Sequence, residues 1–196
     1  MPARAMKTPM RRPLDDADFD VHYYTTGCGR PYGRDEHWLA QFERVADGIA
    51  SRLCPGKTLD AGCAWGLLVE SLRRRDVEAY GFDVSSYAIA QVAASVRPYC
   101  WRASVDESLQ TTYDLIVCIE VFAHLTEDVG RAAVLNFCSH ADRVLLSAAR
   151  YPPHQRHLND LGPDEWGVVL AEAGFHRDRS EDVTFVTPWA ALYRRR

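Results

Sequence analysis

The sequence predicts an α/β fold, in which helices cover both faces of a mainly parallel sheet. From Lys57 onward, short apolar runs alternate with segments whose apolar residues recur at helical spacing. The runs at 113–119 and 143–148 are almost uninterrupted, as expected of strands that are buried on both faces. Such alternation produces parallel strands joined by right-handed crossovers. Ligands of these sheets bind beyond the carboxyl ends of the strands, so we expect the functional residues in the loops there.

The individual elements follow from local patterns along the chain. A first helix is predicted to begin at Asp35 or Glu36 and to end at 54–56, where proline and glycine stop it. Its apolar stripe consists of Trp38, Phe42, Val45, Ile49 and Leu53. Strands are predicted at 58–61, 77–84, 98–103, 113–119 and 143–148, and a closing pair of strands at 175–179 and 183–193. Further helices are predicted at 67–75, 85–96, 127–139 and 162–174.

Length, charge and cysteine content argue against several classes of protein. A chain of 196 residues with 26% charged residues suits one globular domain. Its net charge of −4 argues against a broad nucleic-acid-binding surface. The six cysteines form no C-x-x-C pair, which argues against zinc-ribbon and thioredoxin-type sites and favours a reducing, cytoplasmic setting. No apolar run reaches the roughly 20 residues of a membrane span, and no secretory signal is expected.

The turn after the first predicted strand has the form acid-x-Gly-x-Ala-x-Gly. Gly62 allows the backbone to turn sharply near a ligand, Ala64 is small enough for the same approach, and Gly66 lets the next helix pack closely. The dinucleotide pattern G-x-G-x-x-G and the lysine of a phosphate-binding P-loop are both missing. Asp60, at the end of the strand, suits the cationic end of a ligand better than a phosphate.

A second acid, Asp83, ends the second predicted strand 23 residues after Asp60. An acid in this place takes a bidentate hold on the hydroxyls of a ribose. Together, the turn and this acid predict a site for a nucleoside that carries a positive charge, whereas a pyrophosphate ligand is disfavoured.

Three stretches carry a family resemblance: LDAGCAWG (59–66), YGFDVSSYAI (80–89) and YDLIVCIEVFAHL (113–125). With them the chain resembles the class I S-adenosylmethionine-dependent methyltransferases, in particular small type 11/12-like members, over about residues 23–193. The resemblance implies a Rossmann-like, doubly wound, seven-stranded sheet with one antiparallel strand near the end, formed here by residues 35–196. It implies S-adenosylmethionine as the cofactor.

The same resemblance assigns residues to the parts of that cofactor. The residues expected at its methionine part are Gly62, Cys63 and Ala64, with Gly66 in the same turn. Asp83 is expected on the ribose. The residues expected at the adenine are Val84, Ser104 and Val105, although many family members carry an aspartate where this chain has Ser104. The residues expected between the methionine part and the methyl acceptor are Glu120 and Val121.

Residues 1–34 are expected to form a mobile N-terminal arm that ends in an aromatic lid. The density of glycine and proline in 27–34 argues against regular structure, and four rings accompany it: His22, Tyr23, Tyr24 and Tyr32. The segment resembles the entry region of some small methyltransferases, where an aromatic cap closes over the cofactor. On that basis Tyr24 and Arg34 are expected to contact the cofactor, and Arg34 is expected to pair with a carboxylate of the cofactor. Tyr23 is expected at the methyl acceptor. The alternative is a loop that its tyrosines pin to the surface.

Histidines are the candidates for a general base, which helps when the acceptor is a hydroxyl. His157, in the loop after the fifth strand and close to Asp160, is the preferred base, and His124, in the turn after the fourth strand, is the second candidate. His154 is expected at the acceptor. The alternative for each is a packed or solvated side chain. Some relatives carry E-x-x-E-H here and bind a divalent ion, but Ala123 replaces the second acid, so no metal is expected.

The sequence thus predicts an S-adenosylmethionine-dependent methyltransferase that acts on a small molecule. In-line SN2 transfer to an oxygen of a sugar-like or natural-product acceptor is expected. The alternatives are N-methylation and a protein that binds the cofactor without transferring methyl. The acidic balance and the absence of an Asn/Asp-Pro-Pro-Tyr/Phe motif disfavour a nucleic-acid substrate. A monomer or homodimer with no nucleic-acid or membrane partner is expected.

Overall fold

The computed structural model describes residues 12–150 and 157–196, and within them seven strands form one sheet. The strands are β1 (Lys57–Ala61), β2 (Glu78–Asp83), β3 (Cys100–Arg102), β4 (Leu115–Ile119), β5 (Arg143–Ser147), β6 (Phe175–Asp178) and β7 (Ala191–Arg195). Their order across the sheet is β3-β2-β1-β4-β5-β7-β6. Only β7 is antiparallel to its neighbours, β5 and β6. The predicted fold class, a Rossmann-like and mainly parallel seven-stranded sheet, is confirmed.

Helices cover both faces of this sheet, and their positions follow the predicted apolar stripes. They are α1 (Glu36–Gly48), α2 (Leu67–Arg73), α3 (Ser86–Ala90), α4 (Glu127–His140) and α5 (Pro163–Glu172). Shorter helical turns are Asp16–Asp18, Tyr23–Gly27, Ile49–Leu53, Arg97–Tyr99 and Phe122–His124. The first helix begins as predicted, because the side chain of Asp35 caps it by accepting a hydrogen bond from the backbone of Trp38 at 3.0 Å.

Each face of the sheet has its own apolar core, and the central strand β4 contributes to both. Leu115 and Val117 pack on one face with residues of α1 and α2. Ile116 and Cys118 pack on the other face with residues of α4 and α5. This alternation is the two-residue period of a strand that is covered on both sides.

The direction of the crossovers changes next to β1, and this change sets the position of the site. From β1 the chain continues to β2 and β3 on one side of the sheet, and then to β4 and β5 on the other. Asp60 therefore lies between Gly81 of β2 and Val117 of β4 in the register of the sheet. Open α/β sheets bind their ligands at such a switch point, beyond the carboxyl ends of the strands.

The predicted helix at 85–96 is wrong in length, since α3 ends at Ala90. The guanidinium of Arg97 donates hydrogen bonds to the carbonyl oxygens of Ala90 and Val92, at 3.0 and 2.9 Å. These carbonyls thus have partners without a further helical turn. The contact joins residues several positions apart and is not visible in the apolar pattern.

The last predicted strand, at 183–193, is also wrong in extent, because pairing begins only at Ala191. A turn occupies its predicted first half: the carboxylate of Asp182 accepts hydrogen bonds from the backbone and the hydroxyl of Thr184, at 2.9 and 2.7 Å. Pro188 then follows without an N–H for a strand ladder. Val183 and Val186 are buried nonetheless, which explains why the segment has an apolar pattern.

Candidate functional site

A cavity of about 630 Å³ lies at the carboxyl ends of the central strands. The loops after β3, β2, β1 and β4 line it, and the sheet places them side by side in that order. We call the region around Ser104 the β3 end of the cavity and the region around His124 the β4 end. Residues of the N-terminal segment, among them Tyr24 and Tyr32, complete the wall.

The turn after β1 has a backbone shape that its small residues permit. Gly62, Ala64 and Gly66 all have positive φ angles, of 87°, 47° and 69°. A Cβ atom on Gly62 would lie 2.3 Å from Cγ2 of Val121, so a side chain at this position would meet both backbone strain and a steric clash. The predicted sharp turn at Gly62 is confirmed.

Asp83 links this turn to the end of β2. Its carboxylate accepts a hydrogen bond from the backbone N–H of Ala64 at 2.8 Å and another from that of Ser85 at 2.9 Å. The side chain is only 8% exposed, and burial raises the pKa of the carboxyl although the two amides favour the charged form. Each carboxylate oxygen has a further lone pair, and Asp83 lines the cavity.

Asp60 is the second buried carboxylate of the cavity wall, with 4% of its surface exposed. Burial, followed by the charge of Asp83, raises the pKa of Asp60 to about 8. No lysine or arginine lines the cavity in the part of the chain that the structure describes. The two carboxylates therefore fit a ligand that brings hydroxyl groups and a positive charge, because both would offset the cost of their burial.

The β3 end carries a carboxylate that sequence reasoning missed. Asp106 lines the cavity beside Ser104, and the hydroxyl of Ser104 donates a short hydrogen bond to it. The backbone N–H of Ser104 donates to Glu107 at 2.8 Å. Val105 is buried between them and also reaches the cavity wall. Asp106 lies only two positions after Ser104 in the sequence, and this short spacing was the one signal that could have indicated a carboxylate at this end of the cavity.

Glu120 has a left-handed backbone with a φ angle of 58° and follows directly after β4. Its carboxylate accepts hydrogen bonds from the hydroxyl of Ser147 and, at 2.7 Å, from the indole N–H of Trp189. Its backbone N–H donates to the carbonyl of Ser147 at 2.8 Å. Trp189 lies 69 positions away in sequence, so local patterns gave no signal for this contact.

The β4 end brings two histidines from separate loops together. His124 ends the turn Phe122–His124, and its ring centroid lies 5.2 Å from that of His157. Nε2 of His124 lies 3.2 Å from the hydroxyl of Tyr23. The residues after His157 fix its loop: the side chain of Asn159 donates to the carbonyls of Phe122 and Leu125, at 2.8 and 2.7 Å.

Described residues of the N-terminal segment form one wall of the cavity. Tyr24 is buried, and the backbone N–H of Tyr32 donates to its carbonyl at 2.7 Å. Burial raises the pKa of both phenols, so both hydroxyls stay protonated at neutral pH. Before them, the carboxylate of Asp16 accepts the N–H of Ser86 at 2.6 Å, which attaches this segment to the start of α3.

Residues 59–145, from β1 into β5, match the family described as "Methyltransferase domain". The matched stretch contains the turn after β1, both buried aspartates and the loop after β4. The antiparallel strand β7, which lies between β5 and β6 in the sheet, is outside the matched stretch. Over the matched residues the chain therefore resembles a methyltransferase domain.

Two curated relatives of this chain have the same printed function. Over 165 residues the chain is 26% identical to the ubiquinone biosynthesis O-methyltransferase of Leptothrix cholodnii, which covers 78% of this chain and 64% of the relative. Over 80 residues it is 34% identical to the mitochondrial ubiquinone biosynthesis O-methyltransferase of Schizosaccharomyces pombe, which covers 36% of this chain and 29% of the relative. The chain thus spans less than two thirds of the length of either relative.

Solved methyltransferase structures share the fold at low sequence identity. The magnesium protoporphyrin IX methyltransferase from Synechocystis, with bound S-adenosylhomocysteine, has a TM-score of 0.66 at 18% identity, covering 93% of this chain and 100% of that one. An amino pentose methyltransferase from Micromonospora echinaspora, with bound S-adenosylmethionine, has a TM-score of 0.63 at 18% identity, covering 83% and 93%. At these identities the likeness is one of fold.

Most of the residues predicted for the methyltransferase site line this one cavity. They are Tyr23, Tyr24, Asp60, Gly62, Cys63, Ala64, Asp83, Val84, Ser104, Val105, Glu120, Val121, His124 and His157. Gly66 lies behind them, where a Cβ would be 3.1 Å from the sulfur of Cys100, so its small size serves packing. His154 lies outside the described residues. Tyr32 and Trp38 line the cavity although sequence reasoning gave them no cofactor role.

Arg34 is the predicted cofactor contact that the methyltransferase fold places elsewhere. Its guanidinium donates two hydrogen bonds to the carboxylate of Glu70 on α2, at 2.6 and 3.1 Å, and Arg34 is not among the residues that line the cavity. The carboxylate of the cofactor was expected as the partner of Arg34, but the partner is a carboxylate side chain of the protein. The contact joins residues 36 positions apart, so the sequence did not indicate it.

Asp160, expected beside His157, is exposed, and the lining of the cavity includes His157 without it. Among the described residues, no group of three or more His, Cys, Asp or Glu side chains is placed to hold a metal ion. Within the same residues, each helix is too short or too polar to cross a membrane. All six cysteines are free thiols.

Proposed function

We propose that this protein binds S-adenosylmethionine and transfers its methyl group to a hydroxyl of a small molecule. The observation that carries the proposal is that one cavity joins the buried carboxylates Asp60 and Asp83 to the imidazoles of His124 and His157. The first pair suits the charged and hydroxylated parts of the cofactor. The second pair suits proton removal from an acceptor.

The cofactor would lie along the strand ends in the order of the loops. Asp60 would face its positive charge and Asp83 its ribose hydroxyls, while the turn 62–64 leaves room for its methionine part. At the β3 end, Val84 would pack on the adenine. Asp106 supplies there the carboxylate that many relatives carry at the position of Ser104, and its hydrogen bond to Ser104 places it at the cavity wall.

The chemistry needs orientation more than activation by the protein. S-adenosylmethionine supplies a methyl group on a sulfonium, whose C–S bond breaks as the bond to the acceptor oxygen forms. The protein aligns the two reactants and excludes water, which the aromatic wall of Tyr23, Tyr24 and Tyr32 would do. His157 or His124 would take the acceptor proton, and that proton would then pass to solvent.

The N-terminal segment, residues 1–34, is proposed to act as a lid over this cavity. Tyr23 supports the proposal. It belongs to the N-terminal segment, and its hydroxyl contacts His124, which lines the cavity from the turn after β4. A lid of this kind completes the acceptor site only when it is closed. We further propose that the protein works in the cytoplasm as a monomer or homodimer on a sugar-like or natural-product acceptor.

The proposed function is tested by two measurements on the full chain. Titration calorimetry with S-adenosylmethionine is expected to give one site per chain. Incubation with cofactor that carries a labelled methyl group is then expected to label an acceptor from a small-molecule extract. Absence of binding contradicts the proposal at its first step. Binding without label in any of a broad set of hydroxyl and amine acceptors favours a cofactor-binding protein instead.

Cofactor affinity is expected to rise with pH, by up to about tenfold per unit, between pH 6 and pH 8. In the free protein the pKa of Asp60 is raised to about 8, so the carboxyl must lose a proton to face a cation. The same shift should make the free protein less stable as pH rises from about 4 to about 8, because only the unfolded state ionises easily there. Titration calorimetry with S-adenosylmethionine across this pH range, with Asp60→Asn as the control, tests whether the affinity rises with pH. An equal pH dependence of the affinity in the variant would contradict the prediction.

A further inference from the structure

The β4 end of the cavity, where the acceptor of the proposed reaction would lie, is apolar and aromatic. Phe19 and Tyr23 from the N-terminal segment meet His124 edge to face, with ring centroids 5.6 and 5.7 Å from the imidazole. Leu125 and Val129 add aliphatic walls. The three rings contact one another edge to face and together form an aromatic wall of the cavity, against which a flat apolar group can pack.

Apart from its histidines, the ionisable lining of the cavity is acidic. The acidic residues are Asp60, Asp83, Asp106 and Glu120, and no lysine or arginine lines the cavity among the described residues. Two arginines on neighbouring elements pair with acids: Arg131 with Glu127 and Glu172, and Arg150 with Glu165. A phosphate or carboxylate on the acceptor would therefore meet acidic groups, and the described residues of the cavity wall offer no lysine or arginine to pair with it.

The acidity of the acceptor points in the same direction. A phenol, with a pKa of about 10, gives up its proton far more easily than a hydroxyl as weakly acidic as that of water, at 15.7. His124 and His157 can therefore take the proton of a phenol with a far smaller penalty than that of an aliphatic alcohol.

We infer that the acceptor is an uncharged hydroxyaromatic molecule, whose ring packs against the wall formed by Phe19, Tyr23 and Leu125 and whose phenolic hydroxyl faces His124 and His157. The inference rests on the proposed methyl transfer and narrows it. It favours aromatic natural products over sugars, and it disfavours nucleotide-linked sugars in particular. In the transfer, the phenolic oxygen bonds to the methyl carbon, the cofactor sulfur keeps the electron pair of the broken bond, and the phenolic proton goes to an imidazole.

The test uses two acceptors that differ only in charge. With the full chain and S-adenosylmethionine, kcat/KM for 3,4-dihydroxybenzyl alcohol is expected to exceed that for 3,4-dihydroxybenzoate at least tenfold. Transfer to methyl glucoside and to dTDP-glucose is expected to be undetectable. Calorimetry on protein saturated with S-adenosylhomocysteine should give the same order of affinities for the two catechols. Equal values, preference for the benzoate, faster methylation of a sugar, or no binding of the neutral catechol would each overturn the inference.

A charge introduced at the β4 end should change this preference. Thr126 lines the cavity and its side chain does not cap α4, so Thr126→Lys places a cation there without removing a cap. The variant is expected to lower the ratio of the two kcat/KM values at least fivefold. Val168→Lys makes the same change at a residue of α5 that is 59% exposed, and should leave the ratio unchanged. An unchanged ratio in Thr126→Lys contradicts the inferred location. Failure of cofactor binding would instead concern the proposed function, so the two failures are distinguishable.

Discussion

Replacement of His157 by alanine is expected to lower kcat by about 10²–10⁴-fold, the usual contribution of a positioned general base. The ring centroid of His157 lies 5.2 Å from that of His124. Two hydrogen bonds from the side chain of Asn159 hold the loop of His157 against the turn after β4. It lies in a loop after β5, outside the turn after β1 and the end of β2. Cofactor affinity should therefore stay within about twofold, because the lost group acts only on the acceptor proton.

Steady-state kinetics against pH, together with calorimetry, tests this expectation. If His157 removes the proton, the variant should lose the acidic limb of the kcat profile as well as the rate. His124→Ala in parallel shows which imidazole carries that limb. His176→Ala is the matched control, because His176 is exposed on β6 and should leave both kinetic constants unchanged. Full activity of His157→Ala would remove this residue as the base.

Asp83→Ala is expected to weaken S-adenosylmethionine binding at least tenfold. Two charge-assisted hydrogen bonds to the ribose would be lost, and each is worth about 1.5–3 kcal/mol, where about 1.4 kcal/mol already corresponds to tenfold. The variant also loses the carboxylate that holds the amides of Ala64 and Ser85, so the turn after β1 becomes less ordered. Both effects have the same direction.

The control for Asp83 is a carboxylate with a similar structural task at the opposite edge of the sheet. Asp114 precedes β4 and accepts the backbone N–H of Lys57 at 2.7 Å, away from the cavity lining. Asp114→Ala should lower the melting temperature without changing cofactor affinity, whereas Asp83→Ala should change both. Calorimetric affinities measured beside thermal melts separate the two outcomes. An unchanged affinity in a folded Asp83→Ala protein would refute the cofactor assignment.

Sequence reasoning predicted the sheet, the turn after β1 and the placement of both buried aspartates, because these depend on local signals. Strands buried on both faces need uninterrupted apolar runs, and a φ angle of 87° at Gly62 needs glycine. Asp60 and Asp83 end neighbouring parallel strands, so their meeting at one edge follows from the fold class alone. These features required no knowledge of distant contacts.

Only the tertiary structure decided which partners several polar side chains in and around the cavity contact. Arg34 reaches Glu70, Trp189 reaches Glu120, and two histidines from separate loops meet at the β4 end. Each of these contacts joins residues that are tens of positions apart in the sequence. Long side chains such as that of Arg34 can reach several alternative partners, so the sequence alone does not select one. The sequence therefore determined the fold and most of the residues that we propose for the cofactor half of the site. The proposed acceptor half depends on how loops pack on one another, and loop packing leaves no periodic pattern in a sequence.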